Sequence, residues 1–331
     1  MQSRNKLWSP AVAAFLLGIA LVLTGFAPQA KAEYPERTIR LIHGFAPGGP
    51  ADSLSRIVAE ALSAQLKQSV IVEAKPGAGG NIGADAVAKA EPDGYTIGLV
   101  TGGHAVSGAW YDKLPFDAVE SFQMITTVVD YAFVLAARPD SEATNLQSLV
   151  ELAKARPGVI NYGSAGVGTT QHLTGELLAS TAGIKMVHVP YRGDAAAIVG
   201  LLGGQVHIIV ASSSAVLPQV QAGAVRALAV STAERWSGLP DVPTVAEAGL
   251  LGFDVRTWAG ILAPRGTPAP IVERVRAGLA AALSAPDVKT KIETVVAGNV
   301  RLRTPEEMKS MVASEVARWR KVISDASIRR D

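Results

Sequence analysis

Cysteine is missing from the whole sequence of 331 residues. Its absence excludes disulfide bonds, and it excludes a lipid anchor attached to a cysteine near the N-terminus. A metal site would then depend on histidine, but the histidines show no paired ligand spacing. They stand at His43, His104, His172, His188 and His207. We therefore expect no metal site.

Aromatic and charged residues are also scarce, at 5% and 18% of the sequence, and no basic run occurs. This composition argues against nucleic acid and against an anionic membrane surface as partners. Three basic residues, Arg4, Lys6 and Lys31, lie within the first 32 positions. Without that segment 28 basic residues face 29 acidic ones, so the formal net charge is −1.

The first 32 residues have the layout of a secretory signal peptide. Arg4 and Lys6 precede an apolar run over 11–26, and Ala30-Lys31-Ala32 matches the A-x-A cleavage pattern. We expect cleavage after Ala32 and a periplasmic location. A membrane anchor fits less well, because a spanning helix needs about 20 apolar residues.

The rest of the chain alternates short apolar strands with helical patterns, which is typical of parallel α/β layers. The order strand, glycine loop, helix, strand, helix, strand occurs twice. The predicted strands are 39–43, 70–73 and 96–101 in the first unit, and 159–162, 186–189 and 206–211 in the second. We expect two Rossmann-like lobes, each presenting its loops at the carboxyl ends of its strands.

Two long β-rich runs, 122–137 and 253–263, could cross between the lobes and form a hinge. We predict lobe 1 over 33–133 plus 251–331, and lobe 2 over 134–250. Two amphipathic helices are predicted at the end of the chain, and a capping box of Thr304 and Glu307 marks the start of the second. We expect both to pack on lobe 1.

Residues 163–172 read as a cradle for an anion. Glycines allow backbone N–H groups to converge, and the following helix adds unsatisfied N–H donors and the positive end of its dipole. The stretch is close to a phosphate loop, but Thr169 stands where that motif requires lysine. A carboxylate suits such a site better than a triphosphate. The alternative is a tight structural connection, and the same two interpretations apply to 45–53, the equivalent loop of lobe 1.

No catalytic set is recognisable. Residues 163–166 do not match the G-x-S-x-G nucleophile elbow, and Gly77-Ala78-Gly79 does not extend to a dinucleotide-binding motif. We therefore predict a binding protein without catalytic residues or cofactor, and we expect a monomer. Arg192 could contact an anionic ligand directly or be a solvated loop residue. Trp258 could be a core residue or part of the cleft wall.

Seven motifs, in order along the chain, resemble the Bug family. They are Phe45-Ala-Pro-Gly-Gly-Pro-Ala-Asp52, Lys75-Pro-Gly-Ala-Gly-Gly-Asn81, Asp93-Gly-Tyr-Thr96, Tyr162-Gly-Ser-Ala-Gly-Val-Gly-Thr-Thr-Gln-His172, Val189-Pro-Tyr-Arg-Gly193, Pro243-Thr-Val-Ala-Glu-Ala-Gly249 and Ala263-Pro-Arg-Gly-Thr-Pro268. Members of this family are extracytoplasmic solute receptors of tripartite tricarboxylate transporters.

The resemblance implies a type II periplasmic-binding-protein fold whose two lobes close on a carboxylated solute, which is then delivered to membrane permease subunits. It also implies that the loops 45–53 and 164–172 hold one carboxylate through backbone amides and ordered waters. A carboxylate sensor that signals through a membrane protein is the alternative function.

One departure bears on specificity. Many relatives carry an aspartate after the third strand of lobe 2, where this chain has Ala211. We therefore expect a preference for carboxylates without an amino group, either di- or tricarboxylates or an aromatic acid.

From the loops and the resemblance together we predict a set of ligand-binding residues. The set is Phe45, Pro47, Gly48, Gly49, Asp52, Asn81, Thr101, Ser164, Gly168, Thr169, Thr170, His172, Arg192 and Ser212.

Overall fold

The computed structural model describes residues 34–325 and residue 328. The predicted signal peptide, with its cleavage site after Ala32, lies outside the described residues. From Arg37 onward the chain forms one compact unit. Within the described part, no helix combines the length and the apolar composition that crossing a membrane requires.

Ten strands of the described residues form one continuous sheet. They are β1 (Ile39–His43), β2 (Val70–Ala74), β3 (Thr96–Thr101), β4 (Phe122–Ala137), β5 (Ile160–Ser164), β6 (Met186–Pro190), β7 (Ile208–Ser212), β8 (Arg226–Val230), β9 (Arg256–Pro264) and β10 (Gly298–Val300). The order across the sheet is β2-β1-β3-β9-β4-β7-β5-β6, and β8 and β10 also pair with β4.

Strand β4 joins two halves of this sheet. Its first part pairs antiparallel with β9 from Phe122 to Ala132, and its last part pairs antiparallel with β7 from Phe133 to Ala137. We call β2, β1, β3 and β9 the first half, and β7, β5 and β6 the second half. Within each half, β1 or β5 runs parallel to both of its neighbours. The predicted boundaries of the two lobes stay a prediction.

Ten α-helices accompany the strands in the described part of the chain. They are α1 (Pro50–Leu66), α2 (Asn81–Ala88), α3 (Gly103–Trp110), α4 (Leu146–Ala155), α5 (Thr170–Ala182), α6 (Asp194–Leu202), α7 (Ser213–Gln221), α8 (Ala269–Ser284), α9 (Pro286–Val296) and α10 (Pro305–Asp325). Five of them, α1, α3, α5, α6 and α7, begin shortly after the carboxyl end of a strand. Strands β1 and β3 run in the direction of β4, whereas β5, β6 and β7 run against it. The helix N-termini of the two halves therefore approach each other from opposite directions.

The core follows the period of two expected of a buried strand. On β4, Phe133 and Leu135 face a cluster built with α4, α5 and α10, whereas Val134 and Ala136 face a cluster built with α6 and β7. A third cluster lies between the first half of the sheet and α10, with Met308 and Val312 fully buried. The last helix therefore packs on the first half and also reaches the cluster of Phe133 and Leu135.

The predicted strands and helices are present, with ends shifted by a few residues, and the α/β class is confirmed. The capping box of α10 is confirmed as well. Thr304 Oγ1 accepts from Glu307 N at 3.1 Å, and Glu307 Oε2 accepts from Thr304 N at 2.8 Å. Helices α3 and α7 were not predicted, because their first residues are small and carry no apolar period. Helix α4 was not predicted, although Asn145 and Ser148 form a capping box before it.

A partly buried glutamate lies where α10 meets β9. Glu315 accepts a hydrogen bond of 2.9 Å from the indole N–H of Trp258 on β9. Burial, only partly offset by that hydrogen bond, raises the pKa of Glu315 from 4.5 to about 7. The folded protein therefore holds a proton there over a pH range in which the unfolded chain has released it.

We expect Glu315 to make stability fall as pH rises. A raised carboxyl pKa stabilises the fold fully below pH 4.5, and this contribution is lost as pH rises through 7. The loss is at most about 3 kcal/mol. Urea unfolding of the wild type and of Glu315→Gln at pH 5 and pH 8 tests this, since glutamine keeps the acceptor for Trp258. Equal pH dependence in the two proteins would contradict the prediction.

Candidate functional site

A cavity of about 860 Å³ lies where the two halves of the sheet present their strand ends. Its wall is formed by the loops that follow β1, β5 and β6, the ends of β3 and β7, and the middle of β4. Helices α1, α3, α5 and α6 each contribute their first residues to it. Because a helix leaves its first N–H groups without an intrahelical partner, this wall is rich in backbone donors.

The first loop joins β1 to α1. Phe45, Pro47, Gly48 and Gly49 line the cavity. Gly48 has a φ of +82°, a conformation that favours glycine. No side chain caps α1, whose N-cap residue is Gly49. The amides of its first turn therefore remain available to a ligand.

Asp52 holds this loop from behind. Its carboxylate accepts from the amide of Gly48 at 3.0 Å, from the guanidinium of Arg56 at 3.0 and 3.1 Å, and from the ring of His43 at 3.1 Å. Burial opposes ionisation of Asp52, but the hydrogen bonds from Arg56 and Gly48 outweigh it and lower its pKa. The pKa of His43 is also lowered, by burial. The network ties the loop to both β1 and α1.

The second loop joins β5 to α5, and its geometry depends on two glycines with positive φ, Gly166 at +136° and Gly168 at +70°. Thr169 is the N-cap of α5: its hydroxyl accepts from His172 N at 3.3 Å and donates to Gly166 O at 2.7 Å. Thr170, the first residue of α5, lines the cavity. Its Oγ1 is buried and has no hydrogen-bond partner among the described residues. A buried hydroxyl without a partner is costly, and a ligand could satisfy it.

Stacked histidines support the second loop. The rings of His172 and His188 lie 4.0 Å apart, and His172 also meets Trp110 of α3 edge-on at 5.0 Å. Ser164 Oγ lies 2.7 Å from His188 Nε2, and the amide of Gly168 donates to His172 Nδ1 at 3.3 Å. Burial, followed by the nearby His172, lowers the pKa of His188 to about 3, so this ring is neutral at neutral pH.

The far wall carries a buried carboxylate that sequence analysis did not identify. Asp194, the first residue of α6, accepts from Ser212 N at 3.1 Å, from Ser212 Oγ and from Gln171 Nε2 at 3.2 Å. All three residues line the cavity. Burial raises the pKa of Asp194, while the hydrogen bonds from Ser212 and Gln171 act in the opposite direction.

Asp194 corrects one premise of the sequence analysis. The absence of an aspartate at Ala211 led us to expect a preference for carboxylates without an amino group. The structure places Asp194 against Ser212, the next residue after Ala211, so an acidic group does face the cavity there. The argument against amino-bearing ligands from Ala211 alone does not hold.

Aromatic rings supply much of the apolar surface. Tyr131 and Phe133 of β4, with ring centres 6.2 Å apart, line the cavity together with Phe45. Burial and the charge of Asp194 raise the pKa of Tyr131, so its phenol stays protonated. Trp258 is a core residue, 2% exposed, and it is the preceding Thr257 that lines the cavity.

Nine of the fourteen predicted residues lie on the cavity wall: Phe45, Pro47, Gly48, Gly49, Thr101, Thr169, Thr170, Arg192 and Ser212. The other five lie around it. Asp52, Ser164, Gly168 and His172 form the hydrogen bonds behind the two loops, and Asn81 lines a neighbouring cavity of about 250 Å³.

Sequence reasoning missed Tyr131, Phe133, Gln171, Asp194 and Thr257. Gln171 and Asp194 carried a usable signal, since both are polar residues next to a predicted helix start. The long β-rich runs contain Tyr131, Phe133 and Thr257. Which side of the sheet these side chains face depends on the strand register, which the sequence does not specify.

Charge on the cavity wall is sparse. Of the described residues that line it, Arg192 is the one with a basic side chain and Asp194 the one with a carboxyl group, and Arg192 is exposed at the rim. No group of three or more His, Asp or Glu within the described ranges could hold a metal ion. The arrangement offers backbone and hydroxyl donors to a small anion.

The two halves also touch beside the cavity. A methyl group added at Gly79 would lie 3.4 Å from Val167 O, and one added at Gly168 would lie 3.2 Å from Tyr111. The contact of Trp110 with His172, both of them buried, joins the same two halves.

The family model described as "Tripartite tricarboxylate transporter family receptor" matches residues 54–328. Among solved structures, the periplasmic binding protein BugD is 35% identical and superimposes with a TM-score of 0.84, covering 89% of this chain and 99% of that chain. These similarities confirm the Bug resemblance and the periplasmic-binding-protein fold.

Two further solved structures contain organic acids. A protein of R. palustris solved with adipate is 34% identical, with a TM-score of 0.85, and covers 89% of this chain and 99% of its own. MatC from Rhodopseudomonas palustris, solved with bound malate, is 31% identical, with a TM-score of 0.83, and covers 88% of this chain and 100% of its own.

The Asp52 network can be tested through stability. Asp52→Ala leaves His43, Arg56 and the Gly48 amide without their acceptor, and we expect a loss of roughly 3 kcal/mol of unfolding free energy. The matched control is Asp325→Ala, which breaks an exposed pair with Lys321 at the same helical spacing. That change should cost less than about 0.5 kcal/mol. Similar losses in the two variants, measured by urea unfolding, would contradict the assignment.

Proposed function

The chain belongs to the tripartite tricarboxylate transporter receptor family, and we propose that it captures an organic carboxylate in the periplasm and delivers it to membrane permease subunits. The proposal includes export through the signal peptide over residues 1–32 and a monomeric receptor. It includes no catalytic step and no cofactor.

The observation that carries this proposal is the convergence of helix N-termini on one cavity. Helices α1 and α5 approach from opposite halves of the sheet, and the first residues of both line the wall. Their unsatisfied amides and dipoles favour a negative charge between them. The unpartnered hydroxyl of Thr170 lies in the same wall, so a carboxylate placed there would meet donors from both halves.

The absence of lysine from the wall suits a receptor that must release its solute. Neutral donors hold an anion less strongly than a buried ion pair. The aromatic surface of Phe45, Tyr131 and Phe133 would cover the carbon skeleton, and Arg192 at the rim would attract a second acidic group. This fits di- and tricarboxylates or an aromatic acid. The relatives solved with adipate and malate support the same class.

Closure would couple binding to delivery. A ligand that contacts both halves favours the conformation in which they touch. Gly79, Trp110 and Tyr111 in the first half contact the second loop in that conformation. A permease that recognises this combined surface would distinguish the loaded receptor from the empty one.

We expect a thermal-shift screen of the purified protein with mono-, di-, tricarboxylic and aromatic acids to separate acids that raise the melting temperature from acids that do not. A ligand that binds only the folded state stabilises it by about 2.7 kcal/mol when its concentration is 100 times its Kd. Neutral amides of the same acids serve as controls. The proposal fails if no acid raises the melting temperature above its amide.

The hydroxyl of Thr170 offers a second test, with the best acid from that screen. Thr170→Val keeps the shape but removes the donor, and we expect affinity to fall about three- to tenfold, the value of one hydrogen bond. Folding should not suffer, because Oγ1 has no partner in the protein. Thr170→Ser keeps the hydroxyl and should bind as the wild type does. Unchanged affinity of Thr170→Val by calorimetry would exclude Thr170 from the site.

A further inference from the structure

We propose that Asp194 selects solutes that carry a hydrogen-bond donor, a hydroxyl or an ammonium group, in addition to their carboxylate. This inference rests on the proposed function, since it concerns the opposite end of the same ligand. It names the chemistry that the far wall of the cavity recognises.

The first observation is that the acceptor capacity of Asp194 is not used up. A carboxylate offers about four lone-pair sites. Ser212 N and Ser212 Oγ both donate to Oδ2, whereas Gln171 Nε2 is the donor to Oδ1. One site on Oδ1 therefore remains for a donor that the described part of the protein does not supply.

The second observation is that no cation neutralises this carboxylate. None of the ion pairs among the described residues includes Asp194. The residue is nevertheless buried, with 8% of its surface exposed. Burying a carboxylate without a cationic partner is unfavourable. Hydrogen bonds and the N-terminus of α6 supply partial compensation. A ligand donor would complete it.

The third observation concerns position. Asp194, Ser212 and Gln171 all line the cavity, so the carboxylate and its partners form one patch of wall. The N-terminus of α6 is already occupied by its own acidic residue, so it does not offer an anion site as α1 and α5 do. A second ligand carboxylate placed beside Asp194 would be repelled. The wall therefore discriminates against one ligand group as well as favouring another.

The competing explanation is that Asp194 only fastens α6 to the end of β7. In that case it would affect stability and leave ligand preference unchanged. Selectivity within matched sets of acids separates the two explanations, since a purely structural residue has no reason to distinguish acids of one skeleton.

The experiment is calorimetry with purified protein and three sets of acids, each sharing one skeleton. The sets are succinate, malate and aspartate; adipate, 2-hydroxyadipate and 2-aminoadipate; and benzoate, 4-hydroxybenzoate and 4-(aminomethyl)benzoate. In each set that binds, we expect a donor-bearing acid to bind at least tenfold more tightly than the donor-free acid. The tightest binder shows whether a hydroxyl or an ammonium group is preferred.

The variant Asp194→Asn should reduce this preference to less than threefold, because the amide carries no charge and can direct donors of its own to the ligand. Asp325→Asn, an exposed site on α10, should keep the wild-type preference. The series in the wild type needs no variant, so it decides the matter even if Asp194→Asn folds poorly.

Three outcomes have distinct meanings. If no acid of any set binds, the proposed function fails and this inference with it. If acids bind but the donor-free member is as tight as the others in the wild type, the inference alone is overturned. It is also overturned if a folded Asp194→Asn variant keeps the full preference.

Discussion

The structure depends on a single strand shared by two halves of a sheet. Strand β4 runs from Phe122 to Ala137, and its backbone hydrogen bonds pass from β9 to β7 between Ala132 and Phe133. Because the strand is continuous, it links the two halves, and their loops face each other across the cavity. The cavity lies where this constraint leaves space, and Tyr131 and Phe133 reach its wall from either side of the change in pairing.

Electrostatics inside the cavity follow from the same arrangement. The parallel strands of the two halves bring several helix N-termini to one cavity, which makes the site attractive to anions without any lysine. Asp194 modifies this field, because it places a carboxyl group at one of those N-termini. The cavity therefore has two chemically different ends. Behind the first end, the carboxylate of Asp52 accepts hydrogen bonds from Gly48, Arg56 and His43. It therefore holds the loop without opposing an anion in the cavity.

Much of the fold could be predicted from sequence, because strands such as 39–43 and 96–101 are apolar runs bounded by glycine, and α1 has a regular apolar face. The glycine loops at 45–53 and 163–172 could be recognised because positive φ and helix starts favour particular residues. Helices α3 and α7 could not, since their first residues are small and their stability comes from tertiary packing.

The site shows the same division. Residues next to recognisable turns, such as Thr169 and Thr170, were found from their local pattern. Asp194 was missed as a cavity-wall residue although it lies in a recognised loop, because its relation to Ser212 depends on how β6 and β7 are placed in the sheet. Thr257 was missed and the place of Trp258 was left open for a simpler reason: neighbouring residues on a strand face opposite sides, and a shift of one position exchanges them.

The contacts between Trp110 and His172 and between Tyr111 and Gly168 lie outside the cavity wall, yet they join the two halves. A solute whose release required the halves to part would leave only after these contacts separated. Its residence time would then include the time needed to part the rings, which is independent of the chemistry of the wall. Two receptors with identical cavities could then share one preference among solutes and still exchange them at different speeds.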